Sequence, residues 1–180
     1  MSVLDSDIPF PKALEAPKGS VIIMDDPLIS RAIAMSRQSP RRRIILPIHK
    51  SSGDPLQRMF NVLQPGSYIQ PHRHLAPPKA ESILTIRGSI AYFTFKNDGG
   101  VDDHSILSAG TARFGVDTSP DVYHTFFALE EDTVLFETKP GPFVESSEKD
   151  FAPWAPAEGS PDAIAYLQSL QELGPYKVAT

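Results

Sequence analysis

The chain has 180 residues, of which 41% are hydrophobic, with 17 basic and 22 acidic residues and a formal net charge of −5. This length suffices for one domain with a hydrophobic core and terminal extensions, and the acidic balance argues against nucleic-acid binding through a basic surface. No apolar run approaches the roughly 18 residues needed to cross a bilayer, and residues 1–7 lack the basic and apolar regions of a secretory signal. The sequence contains no cysteine, which excludes disulfides and thiolate metal ligands and fits a reducing compartment. We therefore expect a cytoplasmic protein that associates with neither nucleic acid nor a membrane.

Residues 1–40 predict an extended arm followed by one helix. Three prolines and little periodicity in residues 1–20 favour the arm, and residues 21–24 are apolar enough for a short strand. Asp26 and Pro27 then have the character of an N-cap and a first helical position, and apolar residues recur at helical spacing until Pro40. We expect this helix to pack on one side of a sheet.

Residues 41–140 predict the β core, because short apolar or alternating runs recur about every ten residues with turn residues between them. The predicted strands span residues 43–48, 58–63, 68–74, 81–87, 89–95, 105–107, 112–114, 124–129 and 133–139. Asn97-Asp-Gly-Gly100 is the clearest hairpin turn. Many short strands at this spacing are typical of a sandwich or barrel.

Residues 141–180 predict a wrap around the barrel and a final helix. Proline and glycine are frequent up to Pro161, and the only tryptophan, Trp154, lies in this stretch. Ser160-Pro161 then opens a helix whose apolar stripe is predicted to contain Ile164, Leu167, Leu170 and Leu173. Gly174-Pro175 ends it. We expect this helix to pack on the same single domain or on a partner subunit.

A compact group of histidines predicts a metal site. His72 and His74 point to the same side if they lie on a strand, Glu81 can join them from the next strand, and His124 follows about fifty residues later. Three imidazoles and one carboxylate suit a single divalent zinc, iron, manganese, nickel or copper ion. The alternative is that the His-X-His pair lies on a solvated strand face.

The other two histidines and the one basic cluster have weaker interpretations. His104 follows Asp102-Asp103 in a predicted turn and is expected on the surface, whereas His49 is either a packing residue or lies at the rim of the site. Arg41-Arg42-Arg43 is either a salt-bridged strand entrance or a phosphate-binding edge.

These motifs resemble the cupin superfamily, whose first motif is matched by Gly66, His72, His74, Glu81 and Gly88. Six residues, Leu75 to Ala80, separate His74 from Glu81, which is longer than the family pattern. Of the second motif His124 remains, while Ser119, Asp121 and Ala128 replace the usual proline, glycine and asparagine; aspartate tolerates the turn conformation that glycine supplies.

Further stretches between residues 41 and 156 resemble the cupin-fold metalloproteins of the WbuC type. They include Gln57-Arg-Met-Phe-Asn61, Phe136-Glu-Thr-Lys-Pro-Gly-Pro142 and Lys149-Asp-Phe-Ala-Pro-Trp-Ala-Pro156. The resemblance implies an all-β cupin double-stranded β-helix, or jelly-roll barrel, with flanking N- and C-terminal helices. It also implies a metal site, and members are associated with surface-polysaccharide gene clusters.

Strand alternation nominates further site residues. Tyr68 and Gln70 are expected on the face of His72 and His74, either as acid/base and orienting groups or as partners that fix the imidazoles. Glu137 is either an inward general base or a surface carboxylate paired with Lys139. The remaining polar candidates, proposed to bind substrate with His49, are Arg58, Lys79 and Tyr123.

Two classes of function follow from this site. The first is a metal-dependent enzyme acting on a small polar metabolite such as a sugar derivative, by isomerisation, epimerisation or oxygenation. The second is a non-catalytic module that binds or senses a small ligand at an open metal position, and fold alone does not decide between them. Because jelly-roll sheets expose edges that pairing can cover, we also expect a homodimer.

Overall fold

A computed structural model describes residues 9–174, and all structural statements below refer to that range. The predictions for residues 1–7 and for Pro175 lie outside it. Helix α1 spans Asp26–Gln38 and α2 spans Asp162–Glu172, with a short 3-10 turn at Glu145–Ser147. The ten strands, in chain order, are β1 Arg43–Pro47, β2 Leu56–Leu63, β3 His72–Arg73, β4 Glu81–Arg87, β5 Ser89–Phe95, β6 Val101–Ser108, β7 Gly115–Thr118, β8 Tyr123–Ala128, β9 Thr133–Pro140 and β10 Asp150–Phe151.

The strands form two five-stranded antiparallel sheets, in the orders β1-β2-β9-β4-β7 and β10-β3-β8-β5-β6. Most neighbours within a sheet are distant in sequence, as in a jelly roll. The predicted all-β core with two flanking helices is therefore confirmed. No helix in residues 9–174 combines the length and the apolar character that a membrane span requires.

The inner faces of both sheets are buried, and parts of their outer faces are covered as well, although Leu84 and Ile86 of β4 stay exposed. Between them lies an apolar core that includes Leu63, Ile83 and Phe126. The outer face of the first sheet packs under α1, and the outer face of the second packs under α2 and the residues that precede it. Because helices cover the outer faces, β5 and β8 are almost wholly buried, and the simple alternation of a one-sided sheet is lost in them.

The start of α1 differs from the sequence prediction by one residue. The N-cap is Asp25, whose carboxylate accepts a hydrogen bond from the Leu28 amide at 3.1 Å, and Asp26 instead forms an ion pair with Arg87. The predicted strand at residues 21–24 is also wrong, because that stretch pairs with no strand and its side chains are largely exposed. The arm reaches the barrel further upstream, where the Leu14 amide donates to the Ile45 carbonyl at 2.8 Å.

Two predicted strands are also corrected. Residues 68–71 are irregular, and only His72–Arg73 pairs as a strand. Residues 112–114 are irregular, and the strand follows at Gly115–Thr118. Its position depends on Gly115, since a Cβ atom there would lie 2.8 Å from the Ile83 carbonyl oxygen of the neighbouring strand.

The last 34 described residues, 141–174, close one side of the barrel. Residues 141–161, here called the strap, cross the second sheet and pair through β10 with β3. Helix α2 then buries Ala163, Leu167 and Leu170 against the outer face of that sheet. The predicted stripe is correct at Leu167 and Leu170 but wrong at its ends, because Ile164 and Leu173 are exposed.

Candidate metal centre and its cavity

Three buried histidines converge between the sheets. His72 on β3 is the direct cross-strand partner of His124 on β8, and His74 follows one residue after β3 ends. One ring nitrogen from each histidine lies within 4.8 Å of those of the other two. The predicted grouping of these residues is therefore what the fold produces, and the solvated-face alternative does not apply because all three side chains are buried.

Backbone carbonyls determine which ring nitrogen of each histidine carries its hydrogen. The Nδ1 atoms of His72, His74 and His124 lie 2.9, 2.6 and 3.0 Å from the carbonyl oxygens of Gln70, Glu148 and Val122. Because a carbonyl oxygen only accepts hydrogen bonds, each Nδ1 must be the donor. With Nδ1 as the donor, the Nε2 atom of an imidazole that carries one proton presents its lone pair, as in a metal ligand.

Glu81 places a carboxylate beside these lone pairs. Its Oε2 lies 3.2 Å from Nε2 of His124 and its Oε1 lies 3.6 Å from Nε2 of His74. A carboxylate oxygen and an imidazole lone pair repel each other unless a proton or a metal cation lies between them. Nε2 of His74 is buried and has no hydrogen-bond partner among the described residues, so it is available as a ligand.

The ionisation states of these groups suit a cation. Burial, together with the nearby Lys149 ammonium, lowers the pKa of His72 well below its usual value, which keeps this imidazole neutral. Burial by itself would raise the pKa of Glu81, but the Lys139 ammonium and the adjacent imidazoles hold it well below its usual value. A neutral imidazole at His72 and an ionised carboxylate at Glu81 are donors that fit a divalent transition metal.

A cavity of about 230 Å³ opens beside this centre. Its polar lining includes His72, Glu81, Glu137 and Lys139, and its apolar lining includes Ile45, Pro47, Met59 and Leu63. Four further basic residues, one histidine and one phenylalanine are also part of the lining: Lys12, Arg41, Arg43, Lys149, His49 and Phe143. A volume below the roughly 300–1,000 Å³ of pockets for drug-sized molecules suits a small metabolite.

The structure resolves the orientation of Glu137, which the sequence left open. Glu137 and Lys139 alternate with outward residues of β9, so both line the cavity, and their side chains form a buried ion pair at 3.0 Å. The Asn61 amide also donates a hydrogen bond to Glu137. Burial and the adjacent Glu81 charge raise the pKa of Glu137 above its usual value.

Tyr68 and Gln70 lie on the other side of the second sheet, so the prediction that they share the face of His72 and His74 is wrong. The Tyr68 hydroxyl donates to the carbonyl of Pro156 at 2.7 Å, and the Gln70 amide donates to the carbonyl of Ala155 at 3.2 Å. Strand alternation does not apply to them because residues 67–71 are irregular. Their side chains anchor the strap, and Gln70 acts on the site only through its carbonyl, which orients His72.

Of the four predicted substrate-binding residues, His49 alone lines the cavity. Arg58 alternates with the lining residues of β2 and points away from them. The Lys79 ammonium is buried in an ion pair with Glu148 at 2.8 Å, and the Tyr123 ring lies under the guanidinium of Arg73, 4.4 Å from its central carbon. For these three, the geometry offers no contact with a ligand in the cavity.

The basic cluster and the fifth histidine also have defined positions. Arg41 and Arg43 line the cavity, and both form ion pairs with Glu158 of the strap. Of the two interpretations of the basic cluster, this geometry matches the salt-bridged strand entrance. His104 is exposed, as predicted, but lies within β6 rather than in a turn, with its ring stacked on Phe93 at 5.5 Å.

Sequence reasoning missed Glu148 and Lys149 of the strap as site residues. The Glu148 carbonyl accepts the hydrogen bond from His74, its carboxylate contacts Lys79 and Lys139, and Lys149 lines the cavity. No local pattern marks either residue, because both reach the site through contacts with residues distant in the chain.

Comparison with known proteins supports the fold. A family model described as a domain of unknown function (DUF6016) matches residues 24–107, which is slightly under half of the chain. No curated protein matches the sequence. Among solved structures, CapF in complex with the inhibitor 3-isopropenyl-tropolone is similar at a TM-score of 0.50 and 19% identity; the similarity covers 59% of this chain but only 30% of the CapF chain.

Two further structures are similar at lower scores. KdgF from Halomonas sp. has a TM-score of 0.46 and 15% identity, with 58% of this chain and 82% of that chain covered. Oxalate decarboxylase from Bacillus subtilis at pH 4.6 has a TM-score of 0.43 and 23% identity, with 53% and 23% covered. At these identities the similarity shows the fold alone: the protein has a cupin jelly-roll barrel. Assignment to the WbuC type stays a prediction.

Proposed function

We propose that this protein is a mononuclear metal-binding cupin that acts on a small polar metabolite, such as a sugar derivative. The observation that carries the proposal is the set of three Nδ1–carbonyl hydrogen bonds, which turn three Nε2 lone pairs toward one point beside the Glu81 carboxylate. His72, His74 and His124 would hold the ion, with Glu81 as the fourth ligand. The donor set is compatible with zinc, iron, manganese or nickel.

When bound, such an ion would polarise a carbonyl or hydroxyl group of the substrate, and a redox-active ion would add electron-transfer chemistry. The chain itself supplies acid/base groups in the lining of the cavity. Glu137 belongs to that lining, is held by Asn61 and Lys139, and has a raised pKa, which suits a residue that accepts and returns a proton. This arrangement favours isomerase- or epimerase-type proton transfer over oxygenation.

Metal content tests the ligand assignment. The purified protein is expected to contain about one equivalent of metal per chain, measured by inductively coupled plasma mass spectrometry. His124→Ala, and a His72→Ala/His74→Ala double variant, should lose it while keeping the far-ultraviolet circular dichroism of a folded barrel. His104→Ala is the matched control, because this exposed histidine lies outside the group and its loss should leave the metal content unchanged. Full occupancy in His124→Ala would refute the assignment.

The metal's identity then tests the type of chemistry. Zinc, or manganese without oxygen uptake in the presence of sugar substrates, agrees with proton transfer. Bound iron together with substrate-dependent oxygen consumption would replace that proposal with an oxygenase. Glu137→Gln keeps the volume of the side chain but removes its basicity, so it should abolish solvent-deuterium incorporation into a turned-over substrate while the metal content stays at the wild-type level.

We also propose a homodimer, because the exposed edges of a jelly-roll sheet can be covered by pairing with a second chain. The edge strands are β1 and β7 in one sheet and β10 and β6 in the other. Sedimentation equilibrium measures the mass directly, and a species of one chain at micromolar concentration would refute it.

A further inference from the structure

Lys149 is a cavity-lining lysine that forms no hydrogen bond or ion pair with any residue between 9 and 174. Its backbone is nevertheless held firmly on both sides. Glu148 before it is buried between Lys79 and Lys139, and Asp150 after it pairs with Arg73 at 2.6 Å and begins β10. The strap therefore presents the Lys149 side chain to the cavity from a fixed position.

The other cations that line the cavity all have carboxylate partners. Arg41 and Arg43 share Glu158, and Lys12 pairs with Glu145 at 3.1 Å. Lys139 lies 3.0 Å from Glu137 and 3.0 Å from Glu148. Among the described residues, Lys149 is thus the one lining cation whose charge is not compensated by a direct contact.

The surroundings of Lys149 make this charge costly. Burial and the nearby Lys139 ammonium lower the pKa of Lys149 to about 8, even though Glu81 and Glu137 act in the opposite direction. The Lys149 ammonium in turn contributes to the lowered pKa of His72, so Lys149 lies near the histidine group. An uncompensated ammonium in a partly enclosed cavity is stabilised most by a small anion that enters with its own negative charge.

We propose that the cavity binds a small organic acid, whose carboxylate pairs with Lys149 while the rest of the molecule extends toward His72 and Glu81. A single ammonium matches the single charge of a carboxylate. The guanidinium groups that match phosphate in a bidentate way, those of Arg41 and Arg43, are already engaged by Glu158. The inference rests on the proposed function for the end of the ligand that lies near the metal site. It narrows the proposed substrate class from polar metabolites to carboxylates.

Calorimetric titration with D-glucuronate and D-glucose tests the proposal, because these sugars differ only in the carboxylate at C6. Wild-type protein is expected to bind glucuronate and to bind glucose at least tenfold more weakly. Lys149→Met, which keeps the length of the side chain without its charge, should weaken glucuronate binding by roughly 10- to 100-fold and leave glucose unaffected. Lys149→Arg should recover most of the loss.

Lys12→Met is the matched control, since Lys12 also lines the cavity but is exposed and paired with Glu145. Its glucuronate affinity should stay within about twofold of the wild type. Equal glucuronate affinity in Lys149→Met and wild type overturns the proposal, and so does a wild type that binds neither glucuronate nor the smaller probes acetate and glycolate.

Metal content measured on the same samples separates this inference from the proposed function. A Lys149→Met variant with wild-type metal content and normal glucuronate binding refutes the carboxylate subsite but does not contradict the proposed metal site. The converse outcome is a wild-type protein that binds glucuronate without containing metal, together with a Lys149→Met variant that no longer binds glucuronate. This outcome supports the carboxylate subsite and refutes the metal-binding function.

Discussion

Replacing Glu148 with glutamine removes the charge at the centre of a buried ion-pair network. One carboxylate oxygen lies 2.8 Å from the Lys79 ammonium, and the other lies 3.0 Å from the Lys139 ammonium, outside hydrogen-bond geometry, so that this second contact is purely ionic. The side chains of all three residues are at most 7% exposed. Glu148→Gln keeps the shape of the side chain and the backbone carbonyl that holds His74.

The expected cost follows from what each lysine retains. Breaking a buried ion pair by removing one partner costs about 3–5 kcal/mol, because the remaining charge is left buried without compensation. Lys79 keeps a hydrogen bond to the Pro142 carbonyl, and Lys139 keeps its ion pair with Glu137 at 3.0 Å. Because both lysines retain a partner, we expect a cost at the lower end of this range. We predict a loss of about 3 kcal/mol in the free energy of unfolding. For a chain of this size that corresponds to a melting temperature lower by about 6–12 °C.

Urea denaturation followed by circular dichroism measures this loss, with a chelator present so that bound metal does not add to the stability. Glu145→Gln is the control: it lies three residues earlier in the strap, but its ion pair with Lys12 is exposed (78% and 73%) and should contribute less than about 1 kcal/mol. If Glu148→Gln and Glu145→Gln lower the stability equally, the network does not hold the strap as argued. A Lys79→Met/Glu148→Gln double variant should recover part of the loss, since it removes both charges of one pair.

Three smaller predictions address other parts of the fold. Tyr68→Phe should cost about 1 kcal/mol through its lost hydrogen bond to the strap and leave the metal content unchanged; a metal-free Tyr68→Phe protein would contradict its placement outside the site. Gly88→Ala should destabilise more than Gly110→Ala, as both glycines have φ near +71°, but only at Gly88 would a Cβ atom lie 2.5 Å from the Thr133 hydroxyl, and equal melting temperatures would oppose this. Burial alone would raise the pKa of Glu158, but its two arginine partners lower the pKa by more and hold it below the usual value. The stabilisation from this carboxylate is therefore present above about pH 4.3 and is lost as the pH falls through the lowered pKa. The difference in stability between wild type and Glu158→Gln should accordingly shrink at acid pH, and a constant difference from pH 7 to pH 3 would count against it.

The grouping of the three histidines beside Glu81 was predictable because the sequence information that specifies it is local and redundant. His72 and His74 are separated by one residue, Glu81 begins the next strand, and His124 is the second residue of a strand with a clear turn before it. Short-range spacing of this kind survives errors in strand boundaries. Even the irregular backbone before His72 did not disturb the grouping, because the cross-strand pairing of His72 with His124 brings the two rings together directly.

Counting alternate residues along a strand did not orient side chains correctly where the backbone was not a regular strand or where neither face of the strand was exposed to solvent. Tyr68 and Gln70 precede Pro71 in irregular backbone, so counting by twos from His72 assigned them to the wrong side. Glu137 lies on a strand with apolar residues on both faces, such as Val134 and Leu135, because α1 covers the outside and the second sheet covers the inside. A strand buried on both faces has no period-two contrast from which to orient a single glutamate.

The strap is where sequence reasoning had least to use, and it completes the site. His72 and His124 take their orienting carbonyls from residues two positions earlier in the chain, whereas the carbonyl that orients His74 belongs to Glu148, 74 residues away. Two of the histidines are therefore oriented by residues just before their own strands, and the third is oriented only when the strap has docked. A metal ion at the proposed site would bind best to three correctly turned imidazoles, so it would stabilise the docked strap, and docking would in turn raise the affinity for the metal. The same docking brings Lys149 to the cavity, so the proposed metal site and the cavity would be completed by one structural event.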